Sequence, residues 1–533
     1  MSKHYQAVVV GTGVAGVMAA KKLVEAGVKT LILEAGKRLN REELVKISRA
    51  TARWDSMAPY PAAAHARHAD PIGDPDYITS TKKSYDTSYV RHAGGTTWHW
   101  GSVSWRFIAK DFKLKSHYGI GRDWPIGYDD LERFYSEAEY EMGVSGTEIP
   151  HIDSPRSQPF PMASLQFTYM DKVLEKPLES LGMKLYQEPV SRNSRAYDNR
   201  PSCCGNNNCI PICPIGAQYC ADMTLEKVLK MGADIRYNAV VNRLEDDEQG
   251  NITGLFYLEP DGREYKVTAD HYILSANAIE TVKILLNSKT KHSPTGIANQ
   301  NDLVGRNLMD HPHIYATFDC DFPVYAGRGP VGITGITQFM DGEFRKSMAA
   351  KKFSILNGNH LESVAEQLID KGYIGEALNK EIARVATHRF SSYVQHEQLP
   401  DPNNRIYLSD KKDMLGLPMP VVEWSVEDYV VKSAEHSRDL YHQIAEKIGA
   451  KVHVEMHMGS DAHTLGTTIM GNNEHDSVVD KNCAAHAHKN LFLNGGTVFS
   501  SASSVNPTLT IGALGLRVGE HVAQLLKHNK QAA

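Results

Sequence analysis

Along the chain the apolar positions change period several times, and each change marks an element. Ala7-Val8-Val9-Val10 is a continuous, mostly β-branched run, the pattern of a strand buried on both faces. From Val17 to Ala26 the apolar positions Ala19, Ala20, Leu23 and Val24 recur at helical spacing. Thr30-Leu31-Ile32-Leu33 then returns to a buried strand that ends at Glu34. Further on, Ile273-Leu274 runs through small residues to Glu280 and into a predicted helix over Thr281–Leu286. Asn490–Leu493 is another short strand, closed by Gly495 and Gly496. Pro507 opens a helical pattern that reaches Leu526, and proline suits a first helical turn. Residues 340–390 are rich in Lys, Glu and Ala at helical spacing and predict helices with solvated faces. Asp401-Pro402-Asn403-Asn404-Arg405 predicts a turn before a strand at Ile406–Leu408. No apolar run approaches the roughly 20 residues that span a bilayer.

Between the first strand and helix lies Gly11-Thr12-Gly13-Val14-Ala15-Gly16. In a strand–turn–helix–strand unit these glycines have separate tasks. Gly11 permits the tight turn, Gly13 lets the main chain approach a pyrophosphate, and Gly16 lets the helix pack on the strand. The helix start offers unpaired N–H groups and a positive dipole end to phosphate. Glu34 stands where an acid can accept from ribose hydroxyls. The unit predicts dinucleotide binding and leaves FAD and NAD both open. Ala93-Gly94-Gly95-Thr96-Thr97-Trp98-His99-Trp100-Gly101 is a second glycine-rich stretch, suited to close backbone approach to a flat or phosphate-bearing ligand. It reads equally as a glycine turn with core tryptophans.

The 533 residues make room for two to four domains. Apolar residues at 41% and charged residues at 23% exclude a disordered or coiled-coil chain. With 58 basic against 63 acidic side chains, nothing points to nucleic acid or an anionic membrane as the main partner. The opening Met1-Ser2-Lys3-His4-Tyr5 lacks the features of a secretory signal, so the chain is expected to have no export address of its own. Asn251-Ile252-Thr253 fits a glycosylation pattern and is read as coincidence. Five of the seven cysteines, Cys203, Cys204, Cys209, Cys213 and Cys220, fall close together, which points to metal or redox chemistry rather than disulfide stapling. Prolines at 211 and 214 keep that loop off helix geometry. Structural zinc usually takes four ligands and no histidine lies in the loop, yet zinc, a disulfide and an iron–sulfur centre all remain open on the residues alone. Cys220 has no assigned role, and Cys320 and Cys483 are expected to be plain thiols.

In this order the GTGVAG turn, the AGGTTWHWG stretch, LSANAIET, VGRNLMDHP, HTLGTTIMG and NPTLTIGAL resemble the glucose–methanol–choline (GMC) oxidoreductases over essentially the whole chain. Tyr118–Trp124, Arg192–Arg195 and Pro201–Ala217 resemble more narrowly the catalytic subunits of bacterial FAD-dependent sugar dehydrogenases. The resemblance implies an α/β chain, α+β overall, with a Rossmann-like FAD-binding domain and a substrate lobe on an antiparallel sheet. The FAD domain is expected over residues 1–115, 190–315 and 455–533, with the cysteine loop at 202–220, and the lobe over 116–189 and 316–454. By the same resemblance FAD is held by Gly11, Gly13, Val14, Ala15, Gly16, Glu34, Gly94, Gly95, Thr96, Thr97, Trp98 and His99. Val241, Ala276, Gly495, Asn506, Pro507 and Thr508 complete that set. His99 matches the residue that tethers FAD covalently in some relatives, and the link stays open here.

The resemblance also implies that His463 takes the proton of an alcohol while Asn506 orients its oxygen, the base being one that works near neutral pH. Asn506 reads otherwise as a helix cap. His311 and His313 are set aside as packed side chains. Cys203, Cys209 and Cys213 would hold a three-iron, four-sulfur (3Fe-4S) cluster, with Cys204 turned away. The implied activity is oxidation of a CH–OH group of a sugar, polyol or sugar acid, with hydride passing to flavin N5. Electrons would leave through the cluster to a multihaem cytochrome c subunit. A small accessory subunit with a twin-arginine signal would carry the chain to the periplasm, leaving membrane contact to the partners. The rival readings are a flavin oxidase, an enzyme using a soluble or nicotinamide acceptor in the cytoplasm, and a redox-sensing flavoprotein without turnover.

Overall fold

Tyr5–Val10 (β1) is the middle strand of a five-stranded parallel sheet. In the computed structural model residues 4–51, 59–68, 77–80, 85, 88–358 and 360–532 are described; Met1–Lys3, ahead of β1, lie outside them. The helix α1 (Val14–Glu25) leads to β2 (Thr30–Leu33), and the sheet is completed by β3 (Asp234–Arg236), β4 (Ala269–Leu274) and β5 (Leu491–Leu493), in the order β5-β4-β1-β2-β3. Ala7, Val8 and Val9 have no exposed surface, as a strand covered on both faces requires. The register sets Val10 beside both Leu33 and Leu274, and Leu274 beside Leu493. Four strands therefore end level, and the residues that follow them open one crevice, where doubly wound sheets bind ligands.

Helix starts differ from the periodicity for local reasons. α1 begins three residues before the pattern, at Val14, with Gly13 as its cap. α2 (Asn277–Asn287) begins inside the stretch read as a turn, because Asn277 Oδ1 accepts from the N–H groups of Ile279 (2.8 Å) and Glu280 (3.0 Å). The long helix α3 (Thr508–Ala532) starts just after Pro507 and packs along α1.

A second, antiparallel sheet of six strands has the order 451–459, 313–319, 389–396, 351–356, 334–336, 185–187. One face carries its own apolar core, with Phe318, Phe353, Phe390 and Val394 against Tyr441 and Ile444 of the helix Asp428–Ile448. Residues one step out of phase, Tyr315, Ser354 and Tyr393, turn to the other face and line a cavity. Residues 340–390 are not all helical. Helices occupy Leu361–Asp370 and Gly375–Thr387, but Lys351–Leu356 is an interior strand. Its two lysines mimic a solvated face in sequence and are fully buried in fact, each held by oxygen partners. The hairpin Arg405–Lys412 and Pro418–Glu423 packs on α2 and, through Ile406 and Val422, on the larger core.

Candidate active site

The level strand ends form one side of a cavity of about 650 Å³, and the six-stranded sheet forms another. Gly11 has φ +96°, and a Cβ there would lie 2.6 Å from the Ser275 carbonyl oxygen. A Cβ on Gly16 would lie 2.0 Å from Gly11 O, so the first turn of α1 closes on the strand end only with glycine. Gly13 is the opposite case: its Cβ would meet nothing within 4 Å. The gap lies at the cap of α1, where backbone N–H groups are unpaired, and it fits a pyrophosphate.

Glu34 is buried and already engaged. It accepts from Thr12 N (3.1 Å), Thr12 Oγ1 (2.5 Å) and Gly36 N (3.0 Å). Burial pushes its carboxyl up, and these hydrogen bonds oppose the shift. Thr12 Oγ1 in turn accepts from Gly94 N (3.1 Å), which ties the two glycine-rich stretches together.

Val14, Ala15, Gly95, Thr96, Thr97 and His99 lie on the cavity wall, as do Val241, Ala276, Gly495, Pro507 and Thr508. Gly16, Gly94 and Trp98 do not reach it. Trp98 sits behind the loop, donating to Ala93 O (2.8 Å) with the Arg41 guanidinium over its ring, which is the core-tryptophan alternative. Trp100 is the tryptophan that faces the cavity.

At the far end His463 and Asn506 meet, with His463 Nε2 3.5 Å from Asn506 Nδ2. His311, set aside in the sequence, lies directly behind them. His311 Nε2 is 3.0 Å from the Ser503 carbonyl, which can only accept, so a neutral His311 carries its proton on Nε2. Its Nδ1 is then a lone pair, 3.1 Å from His463 Nδ1. That contact is a hydrogen bond only if His463 Nδ1 donates. Asp461 Oδ2, 3.3 Å from His463 Nδ1, calls for the same proton, while Gln395 Nε2, 3.2 Å away, is a donor that opposes it; two acceptors against one donor place the proton on Nδ1 and leave Nε2 bare toward Asn506 and the cavity.

Burial lowers His311 to about 4 and holds His463 well below the usual histidine range, with His311 and Lys352 adding to the effect. Asp461 Oδ2 lies 3.3 Å from His463 Nδ1 and accepts from Gln395; burial pushes this carboxyl up to about 7. Asp310, raised by burial to about 6, accepts from His311 N (2.6 Å), Asp461 N (2.9 Å), His463 N (3.2 Å) and the Tyr85 hydroxyl (2.7 Å). It pins two segments some 150 residues apart in sequence. Asp310, His311 and His463 place atoms within 4.8 Å of one another, but these hydrogen bonds occupy them.

The cysteine loop borders the same cavity through Cys209 and Ile210. Cys209 and Cys213 are buried, Cys203 is half-buried and Cys204 is exposed. The loop is held by Cys203 N donating to Asn193 O (2.8 Å) and by Asn207 donating to Gly329 O (2.9 Å). Burial raises the Cys203 thiol; Arg192 opposes that, while Cys209 and Cys213 are near enough to add to it. Among the described residues the three sulfurs are not gathered within 4.8 Å of one another. Sulfurs on one tetrahedral zinc, with bonds of about 2.3 Å, stand about 3.8 Å apart. All three side chains are thiols, the ligand type that iron–sulfur clusters use and that zinc also accepts. Cys220 lies apart behind Thr97, its Sγ 3.4 Å from the hydroxyl. Cys320 and Cys483 are buried thiols.

Glu188, Lys352, Tyr393 and Gln395 also shape this end, and no local sequence signal marks them. Two family models, each described as GMC oxidoreductase, match residues 7–313 and 400–515. The fructose dehydrogenase large subunit of Gluconobacter japonicus is 41% identical over 532 residues, covering 98% of each chain. The gluconate 2-dehydrogenase flavoprotein of Pantoea cypripedii is 24% identical, over 96% of this chain and 92% of its own. Among solved structures, a formate oxidase variant of Aspergillus oryzae superposes with a TM-score of 0.67 at 16% identity, over 99% of both chains.

Proposed function

The chain belongs to the GMC oxidoreductase family, and from that premise we propose that it is an FAD-dependent dehydrogenase oxidising a CH–OH group of a sugar, polyol or sugar acid. FAD, when bound, supplies the acceptor at N5 for the hydride that leaves the carbinol carbon. The glycine-lined gap at Gly13 and the cap of α1 would hold its pyrophosphate. Glu34 would face its ribose, and Gly95–Thr97, Val241, Ala276 and Pro507–Thr508 would wall the rest.

In this reading His463 Nε2 takes the hydroxyl proton as the C–H bond breaks. His311 acts through it, by accepting from Nδ1 and so keeping Nε2 bare. Once protonated, the imidazolium has the Asp461 carboxyl 3.3 Å away to offset its charge. Asn506 Nδ2 faces the same spot and would donate to the substrate oxygen, holding it against Nε2. The observation that carries the reading is this tautomer-fixed histidine sharing a cavity with the dinucleotide cradle. Its test is anaerobic titration of the purified flavoprotein with sugars and polyols, in which a substrate bleaches the visible flavin bands.

We assign Cys203, Cys209 and Cys213 to a 3Fe-4S cluster, which would convert the two-electron step into single-electron transfers. Its loop borders the cavity through Cys209, which supports a relay outward. The acceptor in this reading is a multihaem cytochrome c subunit. A small accessory subunit with a twin-arginine signal would export the folded chain to the periplasm. No helix among the described residues is long and apolar enough to cross a membrane, so anchoring falls to the partners in this scheme. The cofactor domain is drawn over 1–115, 190–315 and 455–533, with the six-stranded sheet as the substrate lobe. The hairpin 405–423 lies within the lobe's range but packs on the larger core.

A further inference from the structure

Glu188 follows directly on the edge strand Leu185–Gln187 and reaches the cavity wall with 2% of its surface exposed. Its two carboxylate oxygens are treated very differently. Oε1 accepts from Lys352 Nζ and from Ser354 Oγ (3.1 Å). Lys352 has no exposed surface and spends a second donor on Ser354 Oγ (2.7 Å). Oε2 is buried and has no hydrogen-bond partner among the described residues. A buried carboxylate oxygen without a donor is unfavourable, and a hydroxyl of a ligand in this cavity would supply the donor that the chain does not.

The position of that oxygen is fixed relative to the reaction centre. The Tyr393 hydroxyl lies within the influence of the Ser354 and Asn506 side chains, so polar groups follow one another from Glu188 through Ser354, Tyr393 and Asn506 to His463 along the cavity wall. A second acceptor on the same wall, Asn506 Oδ1, is also buried without a partner among the described residues. The wall therefore offers acceptors to a ligand rich in hydroxyl donors. Lys352 balances the Glu188 charge from behind and does not itself line the cavity.

We propose that Glu188 Oε2 is the subsite for a second hydroxyl group of the substrate, one that does not react, so that the cavity selects uncharged polyhydroxylated molecules and rejects a carboxylate at that position. This inference rests on the dehydrogenase reading above and narrows its substrate class from sugars, polyols and sugar acids to the first two. Glu188 binds and orients; His463 and Asn506 remain the residues at the reacting atoms. Arg192 Nε, also on this wall, has no hydrogen-bond partner among the described residues, and its terminal nitrogens are tied to Val331, Gly101, Ser102 and Gln218.

The test begins with D-fructose, D-sorbitol and D-glucose, taking forward whichever bleaches the flavin anaerobically. Its full set of monodeoxy analogues is then assayed with the wild-type holoenzyme. Removal of one non-reacting hydroxyl should cut kcat/KM on the order of 10- to 100-fold, the size of a lost hydrogen bond to a charged group, chiefly through KM. Two variants locate the effect: Glu188→Asp, which keeps the charge and the Lys352 pair but withdraws the oxygen, and Glu188→Gln with Lys352→Met, which removes both charges together. In a folded variant the parent sugar and that one deoxy analogue should react alike, while the other analogues keep their wild-type ratios. If no non-reacting hydroxyl matters in the wild type, or if the sensitive one stays sensitive in both variants, the subsite is wrong. The wild-type series decides even where a variant does not fold. Failure of every parent sugar to bleach the flavin would instead refute the dehydrogenase reading itself.

Discussion

Two alanine substitutions three residues apart should have opposite consequences. At Gly16 the new Cβ would lie 2.0 Å from Gly11 O, roughly 1.4 Å short of ordinary contact, and the obstacle is backbone on both sides. Relief requires α1 to lift from the buried strand β1. Overpacking of this kind costs about 1–3 kcal/mol and sometimes more. Gly13 has φ −65° and ψ 177°, a conformation alanine adopts freely, and no atom lies within 4 Å of its Cβ position. Gly13→Ala should leave the apoprotein as stable as wild type, or up to about 1 kcal/mol more stable through the unfolded chain. It fills the space meant for the pyrophosphate, however. The assay is thermal unfolding of flavin-depleted protein with and without added FAD, together with the flavin-to-protein ratio as purified. At 100 times its dissociation constant FAD should stabilise wild type by about 2.7 kcal/mol. Gly13→Ala should gain almost nothing and purify nearly colourless, and Gly16→Ala should melt early even with FAD. A yellow, FAD-stabilised Gly13→Ala protein would refute the placement of the dinucleotide.

Three further outcomes follow. His311→Leu should slow flavin reduction on the order of 10- to 100-fold without loss of flavin, and His311→Gln, which can again accept from His463 Nδ1, should recover much of it; equal rates for the two would remove His311 from the mechanism. His463 must be neutral to accept a proton, so its competence is present above its folded pKa and lost as pH falls through it. Because that pKa is depressed below 6.5, the acid limb of the reduction rate should lie below pH 6.5. Lys352→Met, which removes a repelling charge, should move that limb upward, as rapid-mixing spectroscopy across pH would read. Cys209→Ser should abolish bound iron while leaving flavin and its bleaching by substrate in place, whereas zinc found in wild-type protein by elemental analysis would overturn the cluster assignment.

What the sequence disclosed and what it hid divide along one physical line. The β1–α1–β2 unit was legible because its pattern is local: a turn glycine, a helix cap and two buried strands follow within about 30 residues, even though the Ser275 carbonyl that also demands glycine at position 11 is far off in sequence. His463 and Asn506 were legible through their sequence blocks, and they meet in space. His311 was visible but ambiguous, since a histidine beside an aspartate says nothing of a contact 152 residues away. Glu188 and Lys352, 164 residues apart, gave no signal, and Lys351–Lys352 read as a solvated helical face. Only strand alternation in an interior strand, with oxygen partners supplied from elsewhere, reveals them as buried. Trp98 failed in the other direction: it belongs to a motif whose backbone lines the cavity while its own ring packs behind.

The central claim is that a tautomer-fixed His463 works on an alcohol held beside FAD. Purified wild-type protein and His463→Gln, both carrying flavin, should be mixed anaerobically with D-fructose or D-sorbitol and followed through the flavin bands. The account predicts bleaching of wild type and a rate at least about 100-fold lower in His463→Gln at unchanged flavin content. Bleaching at equal rates in the two proteins would contradict it.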